Sequence, residues 1–190
     1  MKRVSMAVLA AAGLVAVATP AAAQTKLNVG ASIVNPVSDW GTGDKMGFGG
    51  TIGASFGLGT APVRLRIEGS YEQTSHDQTG FDGNTKVMGG MLSLVYPFQS
   101  AANIKPYIIG GLGYNSTKVT TNGQDQSKGA VGFGGGLGLQ FAMSSANLYV
   151  EGRYLTHKAD FGGGSVNFSQ VPITVGLTFP LGGGSSTAKH

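Results

Sequence analysis

Eight stretches of this chain alternate, residue by residue, between an apolar side chain and a glycine, hydroxyl or charged one. In Lys45 to Leu58, the side chains Met46, Phe48, Ile52, Ala54, Phe56 and Leu58 fall on one side. Gly47, Gly49, Thr51, Gly53, Ser55 and Gly57 fall on the other. Successive strand side chains point to opposite faces, so a period of two reads as a β-strand with one greasy and one small, polar face. Repeated eight times, it predicts a closed antiparallel sheet with lipid outside and a polar interior.

The other seven stretches follow the same rule. The first, Lys26 to Val34, sets Leu27, Val29, Ala31 and Ile33 against Asn28, Gly30 and Ser32. The third, Val63 to Glu72, sets Val63, Leu65, Ile67 and Tyr71 against Arg64, Arg66, Glu68, Ser70 and Glu72. The fourth, Lys86 to Tyr96, has Met88, Leu92, Leu94 and Tyr96 on one side; the fifth, Lys105 to Asn115, is ambiguous in phase. Ile108, Leu112 and Tyr114 are assigned outward there, with Gly111 and Gly113 inward. The sixth, Gly129 to Phe141, alternates Val131, Phe133, Leu137, Leu139 and Phe141 with glycines and Gln140. The seventh, Asn147 to Leu155, sets Leu148, Val150 and Tyr154 against Tyr149, Glu151 and Arg153. The eighth, Gln170 to Phe179, sets Val171, Ile173, Val175, Leu177 and Phe179 against Gln170, Thr174, Gly176 and Thr178. Each run reaches roughly the 9–11 residues a tilted strand needs to cross a bilayer.

The connections alternate in length. Asn35–Asp44, Thr74–Thr85, Ser116–Lys128 and Thr156–Asn167 are long and polar; Gly59–Pro62, Pro97–Ile104 and Met143–Ala146 are shorter. Outer-membrane barrels have short periplasmic turns and longer outside loops, and the order matches if the first strand starts in the periplasm. Pro172 lies inside the eighth stretch and removes a ladder donor, so a bulge or local loss of pairing is expected there.

Residues 1–23 read as a secretory signal peptide. Lys2 and Arg3 open it, an apolar run from Val4 to Ala18 follows, and Ala21, Ala22 and Ala23 supply a small-residue cleavage site after Ala23. The competing reading is a retained membrane anchor, against which the run is short and ends in a cleavage-like site. The barrel then spans 24–181, and the glycine-rich stretch 182–190 is expected to be a flexible tail.

Without Lys2 and Arg3 the net charge falls from +4 to +2, and no Lys/Arg cluster remains, so a nucleic-acid partner has no electrostatic footprint. The chain has no cysteine, so no disulfide staples it. Charged residues are 12% of the chain, about half the usual share, and 33 of 190 residues are glycine. A soluble domain wets its surface with charge; this chain does not, as a surface facing outer-membrane lipid would not.

The interior of an eight-stranded barrel is just wide enough for side chains to fill, which favours inward glycines beside large neighbours and argues against an open pore. Arg64, Arg66 and Arg153 are expected to pair there with Glu68, Glu72 and Glu151 across neighbouring strands, because an unpaired buried charge is costly.

Three segments carry a resemblance to a known family: Lys105-Pro106-Tyr107-Ile108-Ile109-Gly110-Gly111-Leu112-Gly113-Tyr114, Tyr149-Val150-Glu151-Gly152-Arg153-Tyr154, and the last strand. From Gln24 to Leu181 the chain resembles the OmpA-like and opacity-protein-like eight-stranded outer-membrane β-barrels. The last strand is similar to the C-terminal recognition signal of such barrels, with Thr174, Gly176, Phe179 and Leu181 in the polar, glycine and two apolar places. The resemblance implies insertion by the barrel assembly machinery, and adhesion to a host or surface ligand through the loops. Family members often end on an aromatic residue, whereas nine residues follow Leu181 here.

Catalytic chemistry is thin. His157 stands where a similar lipid A deacylase places its histidine, but the serine such enzymes carry two residues later is replaced by Ala159. Ser75, His76 and Asp77 supply triad types side by side, an arrangement that rarely gives triad geometry. Asp39, Asp44, Asp77, Asp82, Asp125 and Asp160 are scattered and lack a calcium-loop pattern, and no glycine run has phosphate-loop spacing, so no cofactor or metal is expected. Tyr96 and Phe98 at one end, and Tyr71 and Tyr114 at the other, are placed as interfacial girdles, with Trp40 as a further girdle residue or an exposed contact. The expected function is display of four loops on a plugged barrel. The rivals are a narrow pore for small solutes, a lipid-modifying enzyme, and a soluble lipocalin-like barrel with its apolar face inside.

Overall fold

The computed structural model describes residues 25–42, 44–76, 83–100, 103–121, 124–160 and 164–181. The signal segment with Ala23, the tail 182–190, Asp77 and Asp82 lie outside the described residues. The eight strands are β1 (Lys26–Val37), β2 (Gly47–Gly57), β3 (Arg64–Ser75), β4 (Gly83–Pro97), β5 (Ile104–Thr121), β6 (Gln124–Ala142), β7 (Asn147–Asp160) and β8 (Ser165–Pro180). A single helical turn, α1 (Ser38–Gly41), follows β1. Each strand pairs antiparallel with the next, and β8 closes on β1 through a register running from Lys26↔Pro180 to Val37↔Ser169. Closure leaves no sheet edge, the condition for backbone to lie in lipid.

The alternation fixes which face is which. Ile33, Phe48, Ile52, Met88, Leu92, Leu112, Val131, Phe133, Leu137 and Ile173 are all at least half exposed on the outside. Asn28, Ser32, Ser55, Arg66, Glu68, Glu151 and Arg153 are buried inside. The fifth stretch takes the assigned phase, with Ile108, Leu112 and Tyr114 outward and Tyr107 and Ile109 buried in the lumen. The lipocalin-like arrangement is thereby reversed: the apolar residues are outside. Tyr96, Phe98, Tyr71 and Tyr114 are exposed on the outer surface, and the Tyr96 and Phe98 rings meet edge-on at 5.4 Å.

Inward glycines make room for two tyrosines. A Cβ on Gly176 would stand 2.5 Å from the Tyr149 ring, and one on Gly30 would stand 2.5 Å from its hydroxyl. Tyr107 lies over Gly138 in the same way. Not every glycine is inward: Gly69 and Gly90 pair with each other on the lipid side, where a Cβ meets nothing closer than 3.8 Å.

The outer connections need correction, while the disruption expected at Pro172 is present. The stretch 116–128 is not a loop, because β5 and β6 stay paired from Ile104↔Phe141 up to Thr121↔Gln124. Likewise β7 and β8 pair up to Asp160↔Ser165, and Thr74↔Thr85 pair within β3 and β4. Alternating polar residues hydrogen-bond as a ladder without needing an apolar face, so hydropathy ended these strands too early. At Pro172 there is no bulge, since the register is the same on either side. The β7–β8 ladder instead skips from Gly152↔Ile173 to Leu155↔Gln170, a local loss of pairing, while Val34↔Pro172 remains paired on the β1 side.

Candidate functional site

The lumen is filled in layers. At mid-height Arg153 of β7 reaches Glu68 of β3 with Nη1 at 2.6 Å and Nη2 at 3.0 Å, a bidentate fork. Arg66 of β3 donates from Nη1 to Glu151 of β7 at 2.9 Å, and Arg153 Nε also donates to Glu151. The Tyr107 hydroxyl donates to the same Glu151 carboxylate at 2.8 Å. The Arg66 guanidinium lies 5.8 Å from the centres of both the Tyr107 and Tyr149 rings. Two cations and two anions, all nearly solvent-free, thus neutralise one another, as buried charge requires.

This differs from the expected pairing in three ways. The pairs run across the lumen, not between neighbouring strands, because β3 and β7 stand opposite in a ring of eight and long side chains of opposite sign meet at its centre. Arg64 is not in the network; it donates to the Ser55 carbonyl at 3.2 Å near the periplasmic end. Glu72 is not paired with an arginine either; it accepts from Gln170 Nε2 at 2.5 Å, higher in the barrel. A small cavity of about 40 Å³ separates the layers there. Tyr107 and Gln170 were missed as partners, though their inward parity in the strand pattern was the signal that could have found them.

Above lies an apolar and aromatic plug. Ser38, with φ of 59°, turns the chain inward after β1. α1 then carries Trp40 over the lumen, where it is 4% exposed. Its indole N–H donates to Asp44 Oδ2 at 2.8 Å and its ring meets Phe168 edge-on at 5.5 Å. Trp40 is therefore neither a girdle residue nor an exposed contact; Val87, Ala159 and Phe168 bury it. His157 is also corrected. It lies not in the connection expected over Thr156–Asn167 but in β7, buried, stacked on Phe168 at 5.3 Å, with Nε2 2.7 Å from Thr117 Oγ1.

Over the plug the outer end opens into a cleft of about 680 Å³. Trp40 and Phe168 lie at its floor, Asp39, Asp44 and His76 along one side, and Val119, Thr121, Gln124 and Gln126 of the β5–β6 hairpin on the other. Asp44 accepts from Thr74 and stands 3.6 Å from His76 Nε2. Asp39 accepts from the Asn167 backbone and side-chain N–H at 3.2 Å each. On the outer face of the hairpin Lys118 pairs with Asp125 at 2.7 Å, and that ammonium, with the Thr120 hydroxyl, holds the Asp125 carboxyl below its usual range. Asp39, Asp44 and Asp125 are thus each engaged separately, and His76 faces Asp44, with Ser75 exposed beside it.

In the last strand Thr174 is buried and shares a 2.8 Å hydrogen bond with Ser32, and Gly176 lies under Tyr149. Phe179 and Leu181 are exposed outward, and Leu181 N–H reaches the Thr25 carbonyl at 2.9 Å.

Comparison with known proteins agrees with this architecture. The family model described as outer membrane protein beta-barrel domain matches residues 7–179. Among solved structures, Neisserial surface protein A is similar at 21% identity, covering 82% of this chain and 96% of that one, with a TM-score of 0.64. A major outer membrane protein from Thermus thermophilus follows at 13% identity, 82% and 98% coverage and a TM-score of 0.55. Ail, the attachment invasion locus protein of Yersinia pestis, solved with the heparin analogue sucrose octasulfate, is similar at 19% identity, 82% and 97% coverage and a TM-score of 0.50. A search of curated protein sequences finds no match. A closed barrel, an apolar outer belt and a family match over nearly the whole length converge: the chain belongs to the outer membrane protein beta-barrel domain family and resides in the bacterial outer membrane.

Proposed function

We propose that this protein is a surface-interaction barrel whose working part is the outer cleft. The observation that carries the reading is a cleft of about 680 Å³ among the described residues of the outer end, floored by a closed plug. Amide, hydroxyl and carboxylate groups on the walls, over a floor sealed by the buried Trp40 and Phe168, suit recognition of a polar ligand on a host or other surface. Ail, of the same fold, has been solved holding a heparin analogue, a precedent for ligand capture by a barrel of this size. The plug and the lumen network below it argue against solute passage.

No enzymatic role is assigned. The position a lipid-modifying enzyme would use carries His157, which is turned into the lumen and held by Thr117 and Phe168, with Ala159 two residues on. Export through residues 1–23 with cleavage after Ala23, and insertion by the barrel assembly machinery through Thr174, Gly176, Phe179 and Leu181, complete the proposal.

The test is to replace residues 118–126 by a two-residue turn. This removes the hairpin wall of the cleft. The expected result is loss of cell-surface binding with the heat-dependent gel shift of a folded barrel unchanged. Binding that survives the deletion would sink the cleft as the recognition site.

A further inference from the structure

The periplasmic end of the lumen opens into a mouth of about 230 Å³. Lys26 of β1, Arg64 of β3 and Lys105 of β5 line it, with Arg66 at its floor, and no carboxylate is among its lining residues. Three separate strands place a cation at an inward position of the same end. The carboxylates next in depth, Glu151 and Glu68, are already engaged by Arg66 and Arg153. Like charges gathered between low-dielectric walls focus a positive field and raise the local concentration of anions.

The floor adds a directional element. Arg66 is 5% exposed, and its Nε–H has no acceptor among the described residues although Nη1 is held by Glu151. The Tyr107 and Tyr149 rings flank its guanidinium, each ring centre 5.8 Å from the central carbon. A guanidinium anchored through Nη1 with a donor to spare, at the floor of a mouth also lined by two ammonium groups and a second guanidinium, matches a tetrahedral oxyanion. The mouth has room for such a group and several waters.

We propose that this mouth is a binding site for a phosphate group. The group comes either free from the periplasm or as the headgroup of an anionic phospholipid of the inner leaflet, at whose level Tyr96 and Phe98 stand outside the barrel.

The test uses the full mature chain in phosphatidylcholine nanodiscs. Inorganic phosphate is titrated at constant ionic strength against chloride, and the backbone amide resonances of Lys26, Arg64 and Lys105 are followed. Saturable shifts at these three positions are expected with phosphate and not with chloride. In the Lys26→Gln/Lys105→Gln variant, which removes two cations and leaves the lumen network intact, affinity should fall about tenfold while the heat-dependent gel shift persists. A parallel sample in phosphatidylglycerol nanodiscs without phosphate separates the sources. A response to inorganic phosphate identifies a free phosphate group, and a response only to phosphatidylglycerol identifies the headgroup. Shifts that do not saturate, that chloride reproduces, or that the double variant leaves unchanged would overturn the proposal.

Discussion

Arg153 and Glu68 grip each other across the full width of the lumen, through contacts of 2.6 and 3.0 Å between strands that share no backbone hydrogen bond. The pair acts as a strut. It ties opposite walls of the barrel and, with Arg66 and Glu151, closes the lumen at mid-height.

Removing one end of the strut should be costly. Arg153→Met leaves Glu68 and Glu151 short of a partner in a dry interior, a change expected to destabilise the barrel by about 3–5 kcal/mol. Urea unfolding in detergent micelles, followed by far-ultraviolet circular dichroism, measures it. The double variant Arg153→Met/Glu68→Leu should recover much of the loss, because it removes charge in balanced pairs. Equal destabilisation by the single and the double change would contradict a paired strut.

A closed lumen should not conduct. Purified barrel in planar bilayers is expected to show no sustained open steps. Steady conductance from the unmodified chain would favour the narrow-pore reading over the display reading.

Trp40 is the only tryptophan in the chain, so its fluorescence reports the plug directly. Buried against Phe168, it is expected to emit at short wavelength and to resist acrylamide. Brominated phosphatidylcholine should barely quench it, since it lies in the lumen and not in the lipid belt. Strong quenching by that lipid would return Trp40 to the girdle.

Gly30 tests the packing of the inner face. Gly30→Ala drives a Cβ against Tyr149 and the Thr174 methyl group at 2.5 and 2.7 Å. The expected cost is about 1–3 kcal/mol, as for other overpacked interiors. Adding Tyr149→Leu should relieve it, and urea midpoints of the single and double variants decide.

Period-two alternation determined the strands, their faces and the location, because lipid outside and a narrow lumen inside each select residue type at every second position. The inward placement of Arg66, Glu68, Glu151 and Arg153 was legible for the same reason, as was the outward phase of Leu112 and Tyr114. The partners were not legible. Strand parity says that a side chain points into the lumen, not which of the other seven strands it meets. Closure of the ring put β3 opposite β7 and so joined Arg153 to Glu68, while Arg64 and Glu72 ended one layer away on either side. Trp40 and His157 were misplaced from sequence because both fall in long polar connections, where no alternation of apolar residues marks an inward face. Only the inward turn at Ser38 and the continuation of β7 brought them together over Phe168. The sequence by itself therefore determined a membrane barrel with a charged, glycine-lined interior. The tertiary structure decided how that interior is bolted shut, how its outer end is plugged and where its two mouths open, since those contacts depend on side chains meeting across a closed space that no local pattern encodes.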